Sequence, residues 1–225
     1  TYAAEVRSAI SQNLLLRFVP EEALGGLYEA LLEAGLALPE AHTLLDITRC
    51  PGADTCNLAI PRSRGLAQAR EAHLSALPLA QDPGAKAIGV KISGCPNSCG
   101  QHHIADIGFY GSSRKVGERE VPHYVLLLGG RTREGEARFG QVVGRIPARR
   151  VPEAVERILK RYLEERQNGE SFQAYLDRVG AASFKPLLQD LQEVPPYEEA
   201  PEFYQDLGAE GEAFSVQLGR GECAV

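Results

Sequence analysis

The 225-residue sequence predicts a mixed α/β (α+β) fold, because short strand-like segments alternate along it with amphipathic helical segments. Ile88, Val90 and Ile92 alternate with smaller or polar residues, which is the pattern of a half-buried strand. Val155 and Ile158 begin an apolar stripe at helical spacing, with charged residues on the opposite face. A chain of this length is long enough to bury a core of its own.

The N-terminal segment predicts a strand followed by a helix. Residues 14–19 are almost entirely apolar and indicate a buried strand. Pro20 then stands where a helix can begin, because a missing N–H costs nothing in the first turn. Apolar residues recur at helical spacing over 24–32, and Gly35 is placed to end the helix.

Further along the chain the same patterns predict the remaining elements and three regions. They are a helix over 61–76, strands over 88–92, 104–110, 123–128 and 139–146, and a helix that begins at Pro152. We place a small module at residues 1–41, a larger module at 42–180 and a C-terminal extension at 181–225. The extension is rich in Pro and Glu, a composition that favours an extended segment lying over the surface.

Four cysteines in two Gly- and Pro-containing loops are the most informative feature of the sequence. They form the pairs Cys50-x5-Cys56 and Cys95-x3-Cys99. An iron–sulfur cubane needs four thiolates that converge on one small volume, with backbone N–H groups turned towards the sulfurs. The two pairs therefore predict four cluster ligands.

The residues around these cysteines fit such loops. Pro51 and Pro96 stiffen the turn directly after the first cysteine of each pair. Glycines stand beside the ligands, where we expect them to adopt positive φ: Gly52, Gly94 and Gly100.

Three other interpretations of the cysteines fit the sequence less well. A zinc knuckle fits the x3 spacing but not the x5 spacing. A disulfide framework fits poorly, because the chain has five cysteines, an odd number, and ample length for a core. Inert buried cysteines would be expected in apolar periodic segments, not in polar loops.

The two cysteine motifs resemble those of the siroheme- and [4Fe-4S]-containing nitrite and sulfite reductases of the ferredoxin-type assimilatory family. The resemblance extends past the cysteines to about Gly180. It includes Leu128-Gly-Gly130, Gly144-Arg-Ile-Pro147 and Gly169-Glu-Ser-Phe172, in the family's order. It also includes the segment that starts at Ser11-Gln-Asn-Leu14.

The resemblance implies roles for particular residues. It implies that Cys50, Cys56, Cys95 and Cys99 bind a [4Fe-4S] cluster, and that Cys99 also bridges the cluster to the siroheme iron. By the same resemblance, Asn97 lies next to the macrocycle, and Gln12 and Asn13 are candidates for siroheme contact. For Gln12 and Asn13 the alternative is a polar strand start that only satisfies backbone groups. No residue of this chain is assigned a certain catalytic role.

The resemblance also implies architecture and activity. The expected fold is a small ferredoxin-like module followed by a larger mixed-sheet siroheme and iron–sulfur module, together the C-terminal half of the enzyme. The expected activity is the six-electron reduction of sulfite to sulfide or of nitrite to ammonia, with an external electron donor such as ferredoxin, the usual donor in part of the family. The expected partner is the N-terminal half of the same enzyme, which would supply most substrate-binding residues. The alternative is a non-catalytic protein whose cysteines hold an electron-transfer cluster or a structural zinc ion.

Charge and hydropathy limit the remaining possibilities. A net charge of −6 argues against nucleic-acid binding, which requires a basic face. No run of about 20 apolar residues indicates a membrane span, and we expect a cytoplasmic protein.

Two groups of arginines could bind siroheme carboxylates or an acidic electron donor, or could be ordinary surface residues: Arg62, Arg64 and Arg70, and Arg145, Arg149 and Arg150. Cys223 is a candidate free or redox-active thiol near the C-terminus.

Overall fold

The computed structural model describes residues 2–133 and 136–216 and contains a five-stranded sheet, two small two-stranded sheets and several helices. The strands are β1 (Glu5–Ser8), β2 (Leu14–Arg17), β3 (Thr48–Arg49), β4 (Val90–Ser93), β5 (Ile107–Val116), β6 (Arg119–Leu128), β7 (Arg131–Arg133), β8 (Glu136–Arg138) and β9 (Gln141–Pro147). The α-helices are α1 (Leu24–Glu33), α2 (Ser63–Ser75), α3 (Pro83–Lys86), α4 (Val151–Glu165) and α5 (Phe172–Val179).

The central sheet is mixed and has the strand order β3-β4-β5-β6-β9. Strands β3, β4 and β5 run parallel to one another, whereas β5–β6 and β6–β9 are antiparallel pairs. Parallel neighbours must be joined by a crossover connection, which contains α2 between β3 and β4 but only a 3-10 turn, His102–Ile104, between β4 and β5. The predicted mixed α/β class with a mixed sheet is therefore confirmed.

One face of this sheet forms the core with helices α2 and α4. Ile92, Phe109 and Leu126 are register partners on adjacent strands, so their side chains share a face. They belong to one buried cluster with Leu66 of α2 and Ile158 of α4. The helical stripe predicted from the sequence of α4 is thus the stripe that packs on the sheet.

The N-terminal module is an antiparallel hairpin, β1–β2, followed by a 3-10 turn and α1. The strand and helix were predicted correctly, but the strand was expected to be buried and is not. Most exposed large apolar side chains of the described residues belong to this module: Val6, Ile10, Leu14, Leu15, Phe18, Leu24, Tyr28, Leu32, Leu36 and Leu38. Its small hairpin and single helix cannot cover these side chains.

Several elements differ from the sequence expectation. Residues His102–Ile104 form a 3-10 turn, so β5 begins at Ile107 and continues to Val116. Helix α5 and the β7–β8 hairpin were not predicted, and β7–β8 has too few residues for a detectable alternation. No helix in the part of the chain that the structure describes is long and apolar enough to cross a membrane.

The C-terminal extension does not lie simply extended over the surface. It forms short 3-10 turns, and its side chains Phe184, Leu188 and Leu191 are buried in the main core. Further along, Tyr204 and Leu207 are also buried. The expectation of an extended segment was wrong because apolar residues separated by Pro and Glu still supply enough burial. The module boundaries at residues 41 and 180 stay predictions.

Candidate metal centre

The two cysteine loops leave the central sheet at one edge. Strand β3 ends at Arg49, directly before Cys50, and β4 ends at Ser93, two residues before Cys95. Because β3 and β4 are adjacent and parallel, their carboxyl ends lie side by side. The sheet therefore brings together two loops that are far apart in sequence.

Hydrogen bonds join the two loops directly. The backbone N–H of Gly94 donates to Sγ of Cys50 at 3.0 Å. The N–H of Cys50 donates to the carbonyl of Ile92 at 3.1 Å, and that of Ile60 donates to the carbonyl of Gly94 at 2.8 Å. A main-chain N–H that points at a thiolate is the type of contact that stabilises a negatively charged sulfur.

Ser63, at the start of α2, also supports Cys50. Its hydroxyl donates to the Cys50 carbonyl at 2.6 Å and lies 3.4 Å from Sγ of Cys50. Sequence reasoning missed this residue, although its place just after the first cysteine pair was a usable signal. The contact fixes the N-terminus of α2 against the first cysteine loop.

The glycines beside the cysteines act mainly through their small size. Only Gly52 has the expected positive φ, 66°, whereas the positive φ values of the second loop belong to Ser98 and Gln101. A Cβ on Gly94 would stand 2.8 Å from Cβ of Ala59 and 2.9 Å from Cα of Gly52. The glycine at position 94 therefore allows the two loops to touch.

The four thiols lie close enough to influence one another. Burial raises the pKa of the Cys95 thiol, a backbone hydrogen bond from Asn97 opposes this rise, and the charges of Cys50, Cys56 and Cys99 raise it further. Cys50 and Cys95 are buried, Cys56 is half-buried and Cys99 is exposed. The structure thus brings all four predicted ligands into one neighbourhood, with Cys99 on its outer side.

Within residues 2–133 and 136–216, no group of three or more His, Cys, Asp or Glu side chains is arranged to hold a single metal ion. In a cubane each thiolate binds a different iron atom, so its ligands stand further apart than those of one ion. The donor set of four thiols, one of them already accepting a main-chain hydrogen bond, fits a cubane in its chemistry.

Ser93 and His102 support the second cysteine loop through hydrogen bonds. The Ser93 hydroxyl accepts a hydrogen bond from the N–H of Gly100 at 3.0 Å and pairs with Nδ1 of His102 at 2.8 Å. His102 is fully buried, and burial followed by the charge of His103 lowers its pKa to about 4. His102 is therefore a neutral structural side chain at physiological pH.

The structure places the other predicted cofactor residues in different ways. Asn97 is exposed, in the same turn as Cys99. Gln12 pairs with the main chain next to Cys50, because its amide donates to the Arg49 carbonyl at 2.6 Å and accepts from the Arg49 N–H at 3.0 Å. Asn13 donates to Asp46 at 2.7 Å. Siroheme contact by these residues stays a prediction.

Most arginines of the two predicted groups are engaged within the protein. Arg70 is completely buried and donates to the Leu44 carbonyl at 2.7 Å, so it is not a surface clamp. Others that donate to main-chain carbonyls are Arg62, Arg149 and Arg150. Burial of the Arg70 side chain was not detectable from its local sequence. Cys223 lies outside the described residues.

Four cysteine thiols brought together by two adjacent loops are the donor set expected of an iron–sulfur protein. The chain belongs to the nitrite and sulphite reductase 4Fe-4S domain family, whose sequence signature matches residues 40–194. The family predicted from the cysteine motifs is thereby confirmed. Membership also supports the two predicted cofactors, a [4Fe-4S] cluster and siroheme, which enzymes of this family carry.

Individual relatives carry both kinds of reductase name. A ferredoxin–nitrite reductase of Synechococcus elongatus is 31% identical over 56% of this chain and 24% of its own length. A ferredoxin-dependent sulfite reductase of Mycobacterium tuberculosis is 28% identical over 77% of this chain and 32% of its own length. The solved structure of the M. tuberculosis NirA protein superposes with a TM-score of 0.66, at 26% identity, over 77% of this chain and 32% of that chain.

The chain therefore spans about a quarter to a third of the length of the curated relatives it matches. The matched part includes the cysteine loops, the central sheet and helix α4.

Proposed function

We propose that this chain forms the cluster-binding, siroheme-facing part of an enzyme that reduces sulfite to sulfide or nitrite to ammonia. The observation that carries the proposal is the contact between the two cysteine loops, in which Gly94 N–H donates to Sγ of Cys50. It supports a single site formed by four thiols in a family defined by a 4Fe-4S domain.

In this proposal Cys50, Cys56, Cys95 and Cys99 bind the cluster. Main-chain N–H groups near the sulfurs favour the more negative, reduced state, and burial of two ligands limits access of water. When bound, the cluster and siroheme supply the stepwise electron transfer that a six-electron reduction requires. The exposure of Cys99, beside the exposed Asn97, supports the assignment of Cys99 as the thiolate shared with siroheme.

The remaining part of the substrate site is proposed to come from an N-terminal half. The exposed apolar side chains of the hairpin and α1 support this, because soluble proteins seldom leave such surfaces uncovered. Relatives three to four times as long as the matched region are consistent with a further half. We propose ferredoxin as the electron donor, since two relatives are named ferredoxin-dependent enzymes. We propose the cytoplasm as the compartment, because free thiols that must bind a cluster are kept reduced there.

A spectrum with metal analysis tests the proposal directly. The full chain is purified anaerobically, and its iron, zinc, acid-labile sulfide and visible absorption are measured. About five iron and four sulfide per chain, from one cubane and one siroheme, with intense visible siroheme bands are expected when both cofactors are supplied. A broad brown shoulder without siroheme bands would indicate a non-catalytic cluster protein. Zinc without visible absorption would indicate a structural zinc protein.

Turnover is the second measurement. The chain is assayed with a reduced viologen dye and either sulfite or nitrite, first alone and then with the complementary half added. Little turnover is expected from the chain alone, and the anion that is reduced by the combined halves identifies the substrate. Robust turnover by the chain alone would contradict the proposed division of the substrate site.

A further inference from the structure

The hydroxyl of Tyr124 is a buried polar group for which the described residues provide no hydrogen-bond partner. Tyr124 lies in β6, and its side chain is 0% exposed. A buried hydroxyl normally finds a partner, because leaving it without one costs the full free energy of its desolvation. Such a group therefore indicates a ligand, a water molecule or a stored strain.

The register of the sheet shows where the Tyr124 side chain lies. Tyr124 is directly opposite Gly111 of β5, and opposite residues of an antiparallel pair project from the same face. A Cβ on Gly111 would stand 2.2 Å from the carbonyl oxygen of Gly94 and 2.3 Å from Cδ of Pro61. The Tyr124 phenol therefore projects towards the segments that carry both cysteine loops.

The charges near the phenol agree with this position. Burial raises the pKa of Tyr124 well above its usual value, and the charges of Asp206, Cys50 and Asp54 raise it further. None of the described acceptors lies within hydrogen-bond distance of the phenol, and two nearby ones have other donors. Asp206 accepts from the N–H groups of Arg62 and Leu207 at 2.7 and 2.9 Å, and the Cys50 carbonyl accepts from Ser63.

We propose that the Tyr124 hydroxyl donates a hydrogen bond to sulfur of the iron–sulfur cluster, on the side bound by Cys50. The inference rests on the proposed function, since it requires the cluster that the four cysteines are proposed to bind. Cluster sulfur is a negatively charged acceptor, and its charge increases when the cluster is reduced. A hydrogen bond to it therefore stabilises the reduced form and raises the reduction potential.

The substitution Tyr124→Phe removes only the hydroxyl and keeps the ring in the core. In the full chain with the cluster assembled, we expect the midpoint potential of the Tyr124→Phe cluster to be more negative than that of the wild type. The matched control is Tyr162→Phe in α4, another fully buried tyrosine, whose hydroxyl donates to the Glu170 carbonyl at 2.7 Å. This control loses a hydrogen bond far from the cysteines, so its potential is expected to equal that of the wild type.

A second measurement does not depend on the cluster. In the metal-free chain the Tyr124 hydroxyl has lost its proposed acceptor, so Tyr124→Phe is expected to unfold in urea at the same or a higher midpoint than the wild type. Tyr162→Phe is expected to unfold at a lower midpoint in the same experiment.

The outcomes separate this inference from the proposed function. A wild-type chain that assembles no cluster under reconstitution would overturn both. An unchanged potential in a cluster-containing Tyr124→Phe variant would overturn the inference alone. It would indicate that the hydroxyl donates its hydrogen bond to a water molecule and not to the cluster. A lower urea midpoint of metal-free Tyr124→Phe would also overturn it, by showing that the hydroxyl has a partner without the cluster.

Discussion

The backbone N–H of Gly94 and the thiol of Cys50 are joined by a 3.0 Å hydrogen bond, although 44 residues separate them in the chain. The bond exists because Cys50 follows β3, Gly94 follows β4, and the two strands are parallel neighbours. The position of the first cysteine loop therefore depends on the pairing of short strands in the sheet as well as on its own sequence.

Serine substitution of a cluster ligand is the first prediction. We expect each single substitution to abolish or greatly reduce cluster assembly, because a serine hydroxyl is a much poorer iron ligand than a thiolate. The four variants are Cys50→Ser, Cys56→Ser, Cys95→Ser and Cys99→Ser. Iron and acid-labile sulfide per chain are measured after anaerobic reconstitution. Cys223→Ser is the control and is expected to retain both. Full iron and sulfide in two of the four variants would contradict the ligand assignment.

The second prediction is that a methyl group added at position 111 destabilises the fold and the cluster site. Gly111→Ala places Cβ within 2.3 Å of both the Gly94 carbonyl and Pro61, so the second cysteine loop must move away from the sheet. We expect a loss of about 3 kcal/mol in the free energy of unfolding, measured with urea, together with reduced cluster content.

The matched control for that substitution is Gly25→Ala in α1. Nothing lies within 4 Å of a Cβ at this position, and alanine favours a helix over glycine. The control is therefore expected to gain about 0.5–1 kcal/mol and to keep its cluster content. Equal stability of Gly111→Ala and the wild type would show that the loop is not packed against β5 as described.

The sequence was sufficient to predict what depends on local pattern. The stripe of α4, the alternation in β4 and the two cysteine pairs each show themselves within a few residues. The family resemblance then identified the domain. What could not be predicted depends on distant partners. Gln12 pairs with Arg49, and the phenol of Tyr124 is positioned by its register with Gly111, contacts that no local pattern encodes.

The exposure of the N-terminal module illustrates the same limit. The apolar sequence of residues 14–19 indicates that another segment packs on this strand. It does not show whether that segment lies within the N-terminal module or elsewhere. Here the described residues leave Leu14 and Phe18 largely exposed. Sequence pattern predicts a need for burial, and only the arrangement of the remaining elements shows whether that need is met.

Acid sensitivity of the fold is the third prediction. His123 is fully buried, its Nδ1–H donates to the Val121 carbonyl at 2.9 Å, and burial lowers its pKa to about 4. In the unfolded chain His123 has an ordinary histidine pKa of about 6.5. Between about pH 6.5 and about pH 4 it is therefore protonated in the unfolded chain and neutral in the folded chain. Stability is therefore fully present above about pH 6.5 and is lost as the pH falls towards 4.

Urea unfolding of the metal-free chain at pH 7 and pH 5 measures this effect. The wild type is expected to lose about 2 kcal/mol between these values through His123, and His102 adds a loss in the same direction. His123→Gln cannot take up the proton and is expected to lose correspondingly less. An equal loss in the two proteins would show that His123 does not titrate on unfolding.

The attachment of the C-terminal extension to the first cysteine loop is the last prediction. The buried carboxylate of Asp206 accepts from the N–H of Arg62 at 2.7 Å and from that of Leu207 at 2.9 Å, so Asp206→Ala leaves two main-chain donors without their acceptor. We expect a loss of about 2 kcal/mol in unfolding free energy at pH 5 and faster proteolysis after residue 200. Burial raises the pKa of Asp206 to about 6, so above that pH the wild type must keep a buried negative charge, which lowers its free energy of unfolding. The difference in unfolding free energy between the wild type and the variant is therefore expected to be smaller at pH 8. Glu199→Ala, at an exposed position, is the control. A deficit that is absent at pH 5, or that grows towards pH 8, would contradict the role assigned to the Asp206 carboxyl.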